Sequence, residues 1–430
     1  MYLNPSTPVW RPKSEEDLTA AIEDGRLEEN HFVEVKSALA PGKSGNRELA
    51  KDLAQFAIDG GTLIIGVSED KERDTLALAP IPDTSGLPER VEDVARTRIE
   101  PPLSVRFDLI RSGHEDGAGY LFVHVPPSPH APHMVEGRYY ARAEKTKRTL
   151  TDSEVLRLHQ ARLARQREPL VLLDAAIERD PIPEGQEAHY FFVAAPDRPT
   201  GPLAEHIIDG PGWQDRFRAV IAAGHRIPGI SNEYLPSVAQ ATALDDRGDG
   251  RAAHSGELRP GRLLNEEYKA PESLVEVEIA DTGEIRCFAG TVSQHRPVQY
   301  GLPETEQVLY EFIPLHLTRQ LLQVTVALAH ATGYLGAWHV GVAVTGIAGV
   351  RINPQRQHFL RDDERYDAHQ DTYRQTCAVT LEQLERRPGE VTRTLLQRFL
   401  RACGRSGTHD TTYLHDPDLP GDVEHQSQDT

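Results

Sequence analysis

Apolar residues recur along the chain with two periods, and the alternation between them outlines two domains. Residues 15–24, EEDLTAAIED, place Leu18, Ala21 and Ile22 at helical spacing behind an acidic first turn, which suits the positive end of a helix dipole. In HFVEVKS the period is two: Phe32, Glu34 and Lys36 share one face, Val33 and Val35 the other. A strand with so polar a face is unusual near the start of a domain. Residues 46–58 return to a helical stripe of Leu49, Leu53, Phe56 and Ala57, with Asn46 as the expected cap and Gly60-Gly61 as the stop. TLIIGVSED then predicts an apolar strand that opens into acidic residues. A helix over 87–99, a hairpin joining LSVRFDLI to YLFVHVP through SGHEDGAG, a strand in GRYYARA and a helix opened by the capping box Thr151-x-x-Glu154 complete this part.

Beyond it, REPLVLLDAAIERDPIPEGQ gathers Pro, Gly and acidic residues and is expected to be a junction. HYFFVAAP predicts a strand, 212–224 a helix, 245–262 a Gly/Asp/Arg-rich loop, and SLVEVEIADTGEIRCFAGTV a hairpin about Asp281-Thr282-Gly283. A long apolar helix over 312–332, a strand in HVGVAVTGI and a helix over 380–403 follow. The expected organisation is an N-terminal lead (1–25), an α/β domain with a mixed sheet (26–168), a second α+β domain (170–404) and a tail from 405 too polar to pack. The fold class is α+β.

Composition narrows the chemistry. The 430 residues suffice for two or three domains, and no apolar run approaches the roughly 18 residues of a membrane span. The first residues lack the layout of a secretion signal, so a cytoplasmic location without membrane partners is expected. Cys287, Cys377 and Cys403 form no C-x-x-C pair, and His130 and His133 flank a proline turn without a third ligand at zinc spacing, so no zinc is expected. A net charge of −19 argues against a generic nucleic-acid coat, because phosphate binding needs a positive face. Most of the excess acidity lies after residue 165, which leaves room for a local basic groove before it.

Gly42-Lys43-Ser44 raises the question of a nucleotide loop. A P-loop requires G-x-x-x-x-G-K-[ST] after a buried strand, and here Ser37 stands where the first glycine belongs, behind a strand carrying Glu34 and Lys36. ATP binding is therefore the third-ranked reading.

Taken together, ENHFVEVK (29–36), LAKDLAQFAIDGGTLIIGVSED (49–70) and the GRYYARA strand with its closing helix resemble the Schlafen AlbA_2 family. Asn30, Val35 and Ile58 depart from the family pattern. The resemblance covers residues about 26–165 and implies, for the nuclease members, a divalent metal site assembled from Glu29, Glu34 and Asp70, with Glu69 as the competing third ligand. Hard carboxylate oxygens of this kind suit Mg²⁺ or Mn²⁺. Lys36, on the face of Glu34, would contact a phosphate or position a carboxylate. In RYYARAEKTKR the cations Arg138, Arg142, Lys145, Lys147 and Arg148 interleave with Tyr140, a composition that can hold phosphates and stack a base. Lys43, Arg47 and Lys51 could extend the same path.

The leading expectation is a metal-dependent endoribonuclease acting on transfer RNA or other structured RNA, with anti-phage defence suggested by family context. The second domain would then meet a protein or phage trigger, or another copy of the chain. The alternative is a non-catalytic nucleic-acid-binding regulator.

Overall fold

The structure is a computed structural model. It describes residue 10 and residues 12–416 apart from 71–74, 114–116, 166–167, 183–186, 198–200, 228–229, 231–235, 257, 260–261, 265–273, 298–304 and 354–363. The chain divides into two units, Met1–Ala164 and Arg165–Thr430.

In the first unit the elements run α1 (Glu15–Glu23), β1 (Val33–Lys36), α2 (Gly42–Ala54), β2 (Gly61–Ile65), β3 (Val67–Asp70), β4 (Thr75–Leu78), α3 (Leu87–Thr97), β5 (Arg106–Arg111), β6 (Gly119–Val125), β7 (Met134–Val135), β8 (Arg138–Arg142), β9 (Lys147–Thr149) and α4 (Asp152–Arg165). Four strands form a mixed sheet in the order β1-β2-β6-β5, parallel between β1 and β2 and antiparallel elsewhere. The sheet is covered on both faces. On one, Leu49 and Leu53 of α2 and Val91 and Val94 of α3 pack on Leu63, Ile65, Leu121 and Val123. On the other, Leu18 and Ala21 of α1 meet Val33, Val35, Ile64 and Phe122. Burial from both sides explains why β2 is apolar at every position rather than alternating. The expected N-terminal lead thus contributes a packed helix, fixed at its start by the capping box of Ser14 and Asp17.

The second unit comprises α5 (Glu168–Glu178), β10 (His189–Pro196), α6 (Glu205–Ile208), α7 (Trp213–Ala222), β11 (Ala243–Arg247), β12 (Gly250–His254), β13 (Leu258–Arg259), β14 (Leu263–Leu264), β15 (Val275–Ala280), β16 (Ile285–Ala289), β17 (Ser293–Pro297), β18 (Thr305–Leu309), α8 (Phe312–Thr332), β19 (Trp338–Thr345), β20 (Arg351–Ile352), β21 (Thr372–Val379), α9 (Leu381–Arg386) and α10 (Pro388–Ala402). A seven-stranded antiparallel sheet, β11-β12-β15-β16-β10-β19-β21, is its frame. Residues of α7, α8 and α10 share the main core with one set of strand side chains, and Leu173 of α5 packs with Phe191, Val193 and Phe288. Helices with sheets in both units make the chain α+β. Among the described residues no helix is long and apolar enough to cross a membrane.

Several elements differ from the sequence-based expectation. Helix α2 starts at Gly42 because the extended Pro41 is its N-cap, and Asn46, the expected cap, accepts instead from Arg90 Nε at 2.9 Å. The junction segment forms α5, since Leu173 is buried although Val171 is exposed. The first half of the expected 245–262 loop belongs to a hairpin, β11–β12, with the two-residue turn Gly248-Asp249. Its polar residues hid it: Arg247 is buried and paired with Glu276 at 2.6 Å. The helix over 380–403 is broken where Arg387 leaves helical geometry and Pro388 cannot donate. Residues 405–416 are anchored by buried Arg405, Tyr413 and Leu414, the last two in the main core, so the expected unpacked tail is corrected over this stretch. Residues 417–430 lie outside the described residues.

Candidate functional site

The polar face of β1 does not face water. Val33 and Val35 turn toward α1, which directs Glu34 and Lys36 to the side carrying α2, and there Glu48, Lys51, Asp52 and Gln55 recur at helical spacing. Lys36 Nζ lies 3.3 Å from Glu34 Oε1 and 3.2 Å from Asp52 Oδ2. Asp52 is 1% exposed and also takes Lys147 Nζ at 2.5 Å, while Glu48 takes Lys147 at 2.9 Å and Lys51 at 2.8 Å. Arg142 of β8 closes the network. Its Nη1 donates to Glu34 Oε2, its Nε to the Asn30 carbonyl at 2.8 Å and its Nη2 to the Val33 carbonyl at 2.9 Å.

Electrostatics follow from these partners. Burial alone would raise the Glu34 carboxyl, but the Arg142 hydrogen bond and charge, with Lys36, hold it below its usual value. Lys36 is raised: burial opposes its charge, and Asp52 and Glu34 outweigh the burial. Glu48 is pulled down to about 2 by hydrogen bonds from Lys51 and Lys147.

Glu29 behaves differently. Its Oε1 accepts from the Val35 N–H at 3.2 Å, yet its carboxyl is raised, chiefly by burial, with the charges of Glu34 and Glu69 adding to the rise. It stands in the wall of a cleft of about 430 Å³ shared with Glu23, Glu28, Glu69, Thr75 and Lys145. Four carboxylates against one ammonium make this cleft strongly negative.

The remaining sequence-based candidates divide in two. Arg142 is 5% exposed and Tyr140 9%, so neither presents itself to a nucleic acid: Arg142 is an internal counter-ion and Tyr140 belongs to the core beneath α2. Lys147 and Lys51 are committed to Asp52 and Glu48, Arg47 to Glu136 at 2.7 Å and Arg148 to Glu154 at 2.8 Å. Lys43, Arg138 and Lys145 are exposed and make no ion pair among the described residues. Asp70 ends β3 opposite Thr75, and its side chain lies outside the described residues. His133 is buried with both ring nitrogens at 2.7 Å from Pro101 O and Ser128 Oγ, and burial pushes it down to about 4. It is a satisfied core histidine. Asp52 and Gln55 were missed by sequence reasoning, although the odd polar face of β1 called for partners on α2.

A metal finds part of what it needs here. Among the described residues no three His, Cys, Asp or Glu side chains assemble into a cation cage. Both oxygens of Glu34 are taken by cationic groups. Glu29 and Glu69 line one cleft and carry hard oxygens of the kind a divalent cation takes, and a cation there would relieve the negative charge that adds to the rise of Glu29.

Comparison with known proteins matches part of the chain to a family. Residues 29–151 match the family model described as Schlafen, AlbA_2. No curated protein matches the chain. Among solved structures, the DIP2311 protein from Corynebacterium diphtheriae is similar at 17% identity over 34% of this chain, with a TM-score of 0.23, and the match spans 28% of that chain. The N-terminal domain of a Nitrosomonas europaea protein described as related to the ATP-dependent DNA helicase RecG is similar at 24% identity over 33% of this chain and 96% of that domain, with a TM-score of 0.22. At those TM-scores neither likeness bears on fold or activity. The charge network and Glu29 fall inside the matched span, the cleft draws on residues on both sides of its start, and between residues 29 and 151 the chain carries a Schlafen AlbA_2 domain.

Proposed function

We propose that the AlbA_2 domain is a divalent-metal-dependent endoribonuclease whose chemistry centres on Glu29 in the acidic cleft. The observation that carries this reading is the half-buried Glu29 carboxylate in a cleft that also holds Glu23, Glu28 and Glu69, with burial and neighbouring charge raising Glu29. A cleft so negative repels a phosphate unless a cation intervenes, which favours a metal-bridged substrate over direct electrostatic capture. A bound Mg²⁺ or Mn²⁺ would polarise the scissile phosphate and stabilise the developing charge.

The chain's own residues have separate tasks. Glu29 and Glu69 would offer oxygens to the cation, and the family resemblance implies Asp70 as a further ligand. Arg142 and Lys36 lock Glu34, and the Val35 N–H holds one oxygen of Glu29, so this carboxylate, carried by the segment before β1, is tied to the strand. Lys145, exposed at the cleft wall, is the cation placed to meet a phosphate there. Lys43 and Arg138 add exposed positive charge elsewhere on the domain.

A second reading has its own observation. Because Glu34 is already neutralised by Arg142 and Lys36, the site can stand without a metal, as expected for a domain that binds nucleic acid and does not cut it. The two readings part on one experiment. The full chain is mixed with total transfer RNA in Mn²⁺ or EDTA, and read on denaturing and native gels. Strand cleavage in Mn²⁺ alone supports the nuclease, whereas a shift that weakens with salt and leaves the RNA whole supports the binding module. A role in anti-phage defence, a trigger acting on the second unit and a cytoplasmic location belong to the same proposal as its biological setting.

A further inference from the structure

The second unit contains a cavity of about 610 Å³ beside α8. That volume falls in the range of small-molecule sites. Arg319, Gln323, Ala327 and His330 recur along one stripe of α8 and line it, with Leu384 of α9 and Thr412 opposite. Most of this lining is apolar or weakly polar. The ionisable members are His330, Glu385, His415 and Arg319, and of these Arg319 is the buried one, 7% exposed.

A buried guanidinium needs compensation, and Arg319 has little. Its Nη1 donates to the carbonyls of Tyr413 at 3.0 Å and His415 at 3.2 Å. The neighbouring carboxylate, Asp416, stands 3.9 Å away and is already engaged, accepting from the Gly389 N–H at 2.5 Å and the Glu390 N–H at 3.0 Å at the start of α10. Among the described residues nothing accepts from Arg319 Nε or Nη2. Burial accordingly pushes the group below its ordinary value, with Asp416 only partly opposing.

We propose that this cavity binds a small amphiphilic monoanion, with a carboxylate on the free edge of Arg319 and an apolar body along Ala327 and Leu384. The Nε and Nη2 edge of a guanidinium matches a carboxylate in a two-bond fork. Asp416 and Glu385 already bring negative charge near this wall, so a ligand with one charge is tolerated better than one with two. A phosphate dianion would leave one charge over in a cavity whose rim also holds Glu385, itself paired with His330 at 2.6 Å.

Isothermal titration calorimetry of the full chain with sodium octanoate, 1-octanol and inorganic phosphate tests the assignment. Octanoate should bind saturably at one site, octanol roughly tenfold more weakly, as expected when a charged hydrogen bond is lost, and phosphate not at all. Ala327→Phe, which fills the cavity from α8 without touching Arg319, should abolish octanoate binding at an unchanged melting temperature. Arg319→Gln should weaken octanoate and leave octanol as it was. Octanol binding as tightly as octanoate, octanoate binding that survives Ala327→Phe, phosphate binding at the same site, or no saturable octanoate heat would each overturn the proposal.

Discussion

The guanidinium of Arg142 is the residue on which the site's geometry depends most. It joins β8 to the backbone of Asn30 and Val33 and to the carboxylate of Glu34, with its side chain 1% exposed. Removing it leaves Glu34 with Lys36 as its cationic partner and a long hydrogen bond from Gln55 Nε2 at 3.4 Å, and breaking a buried pair from one side costs about 3 kcal/mol. Arg142→Met should therefore lower the urea midpoint of the first unit markedly, while Lys145→Met, an exposed change, should leave it in place. Glu48 gives a pH signature. Folded, it protonates only near pH 2; unfolded, near its ordinary 4.5. The stabilisation is complete above pH 4.5 and is lost as pH falls toward 2. Lys51→Met removes part of that depression, so the variant should lose less stability than wild type between pH 6 and pH 3 in urea titrations. The effect will be modest, because Glu48 is half exposed.

At the scale of elements, α2 sets the site by where it begins. Gly45 lies in its first turn, and a Cβ there would come within 1.9 Å of the Ala40 carbonyl oxygen. Gly45→Ala must push back the loop or the helix, at roughly 1–3 kcal/mol, and a thermal melt should show the loss. Period and turn chemistry made most elements legible in advance: β1, β2, the β5–β6 pair, α8 and the β15–β16 hairpin all follow apolar patterns. Polar elements were not legible. Edge strand β11 contains Leu-Asp-Asp-Arg and is tied down by the pair of the Arg247 side chain with Glu276, distant along the chain, so no local pattern announces it. The same limit hid Asp52 within α2. Glu29 and Glu34 were legible as candidates, but whether a basic residue faces solvent or a buried carboxylate is decided by tertiary contacts. Arg142 and Lys147 are the cases in point.

For the whole molecule, each hydrophobic core draws on one unit only: residues 18–140 in the first, 173–414 in the second. A fragment ending at residue 165 should consequently unfold cooperatively by circular dichroism, and a featureless melt would refute that independence. The net charge of −19 bears on function at this scale, since it disfavours nucleic-acid capture by bulk attraction, and under the proposed function a cation would have to bridge the acidic cleft and a phosphate. The most direct test is therefore cleavage of total transfer RNA by the full chain and by Glu29→Gln, each in Mn²⁺ and in EDTA, on a denaturing gel. Cleavage by wild type in Mn²⁺ alone, with none by Glu29→Gln, is the expected result. Intact RNA in every lane, or cleavage by Glu29→Gln equal to wild type, would contradict a metal-dependent nuclease centred on Glu29.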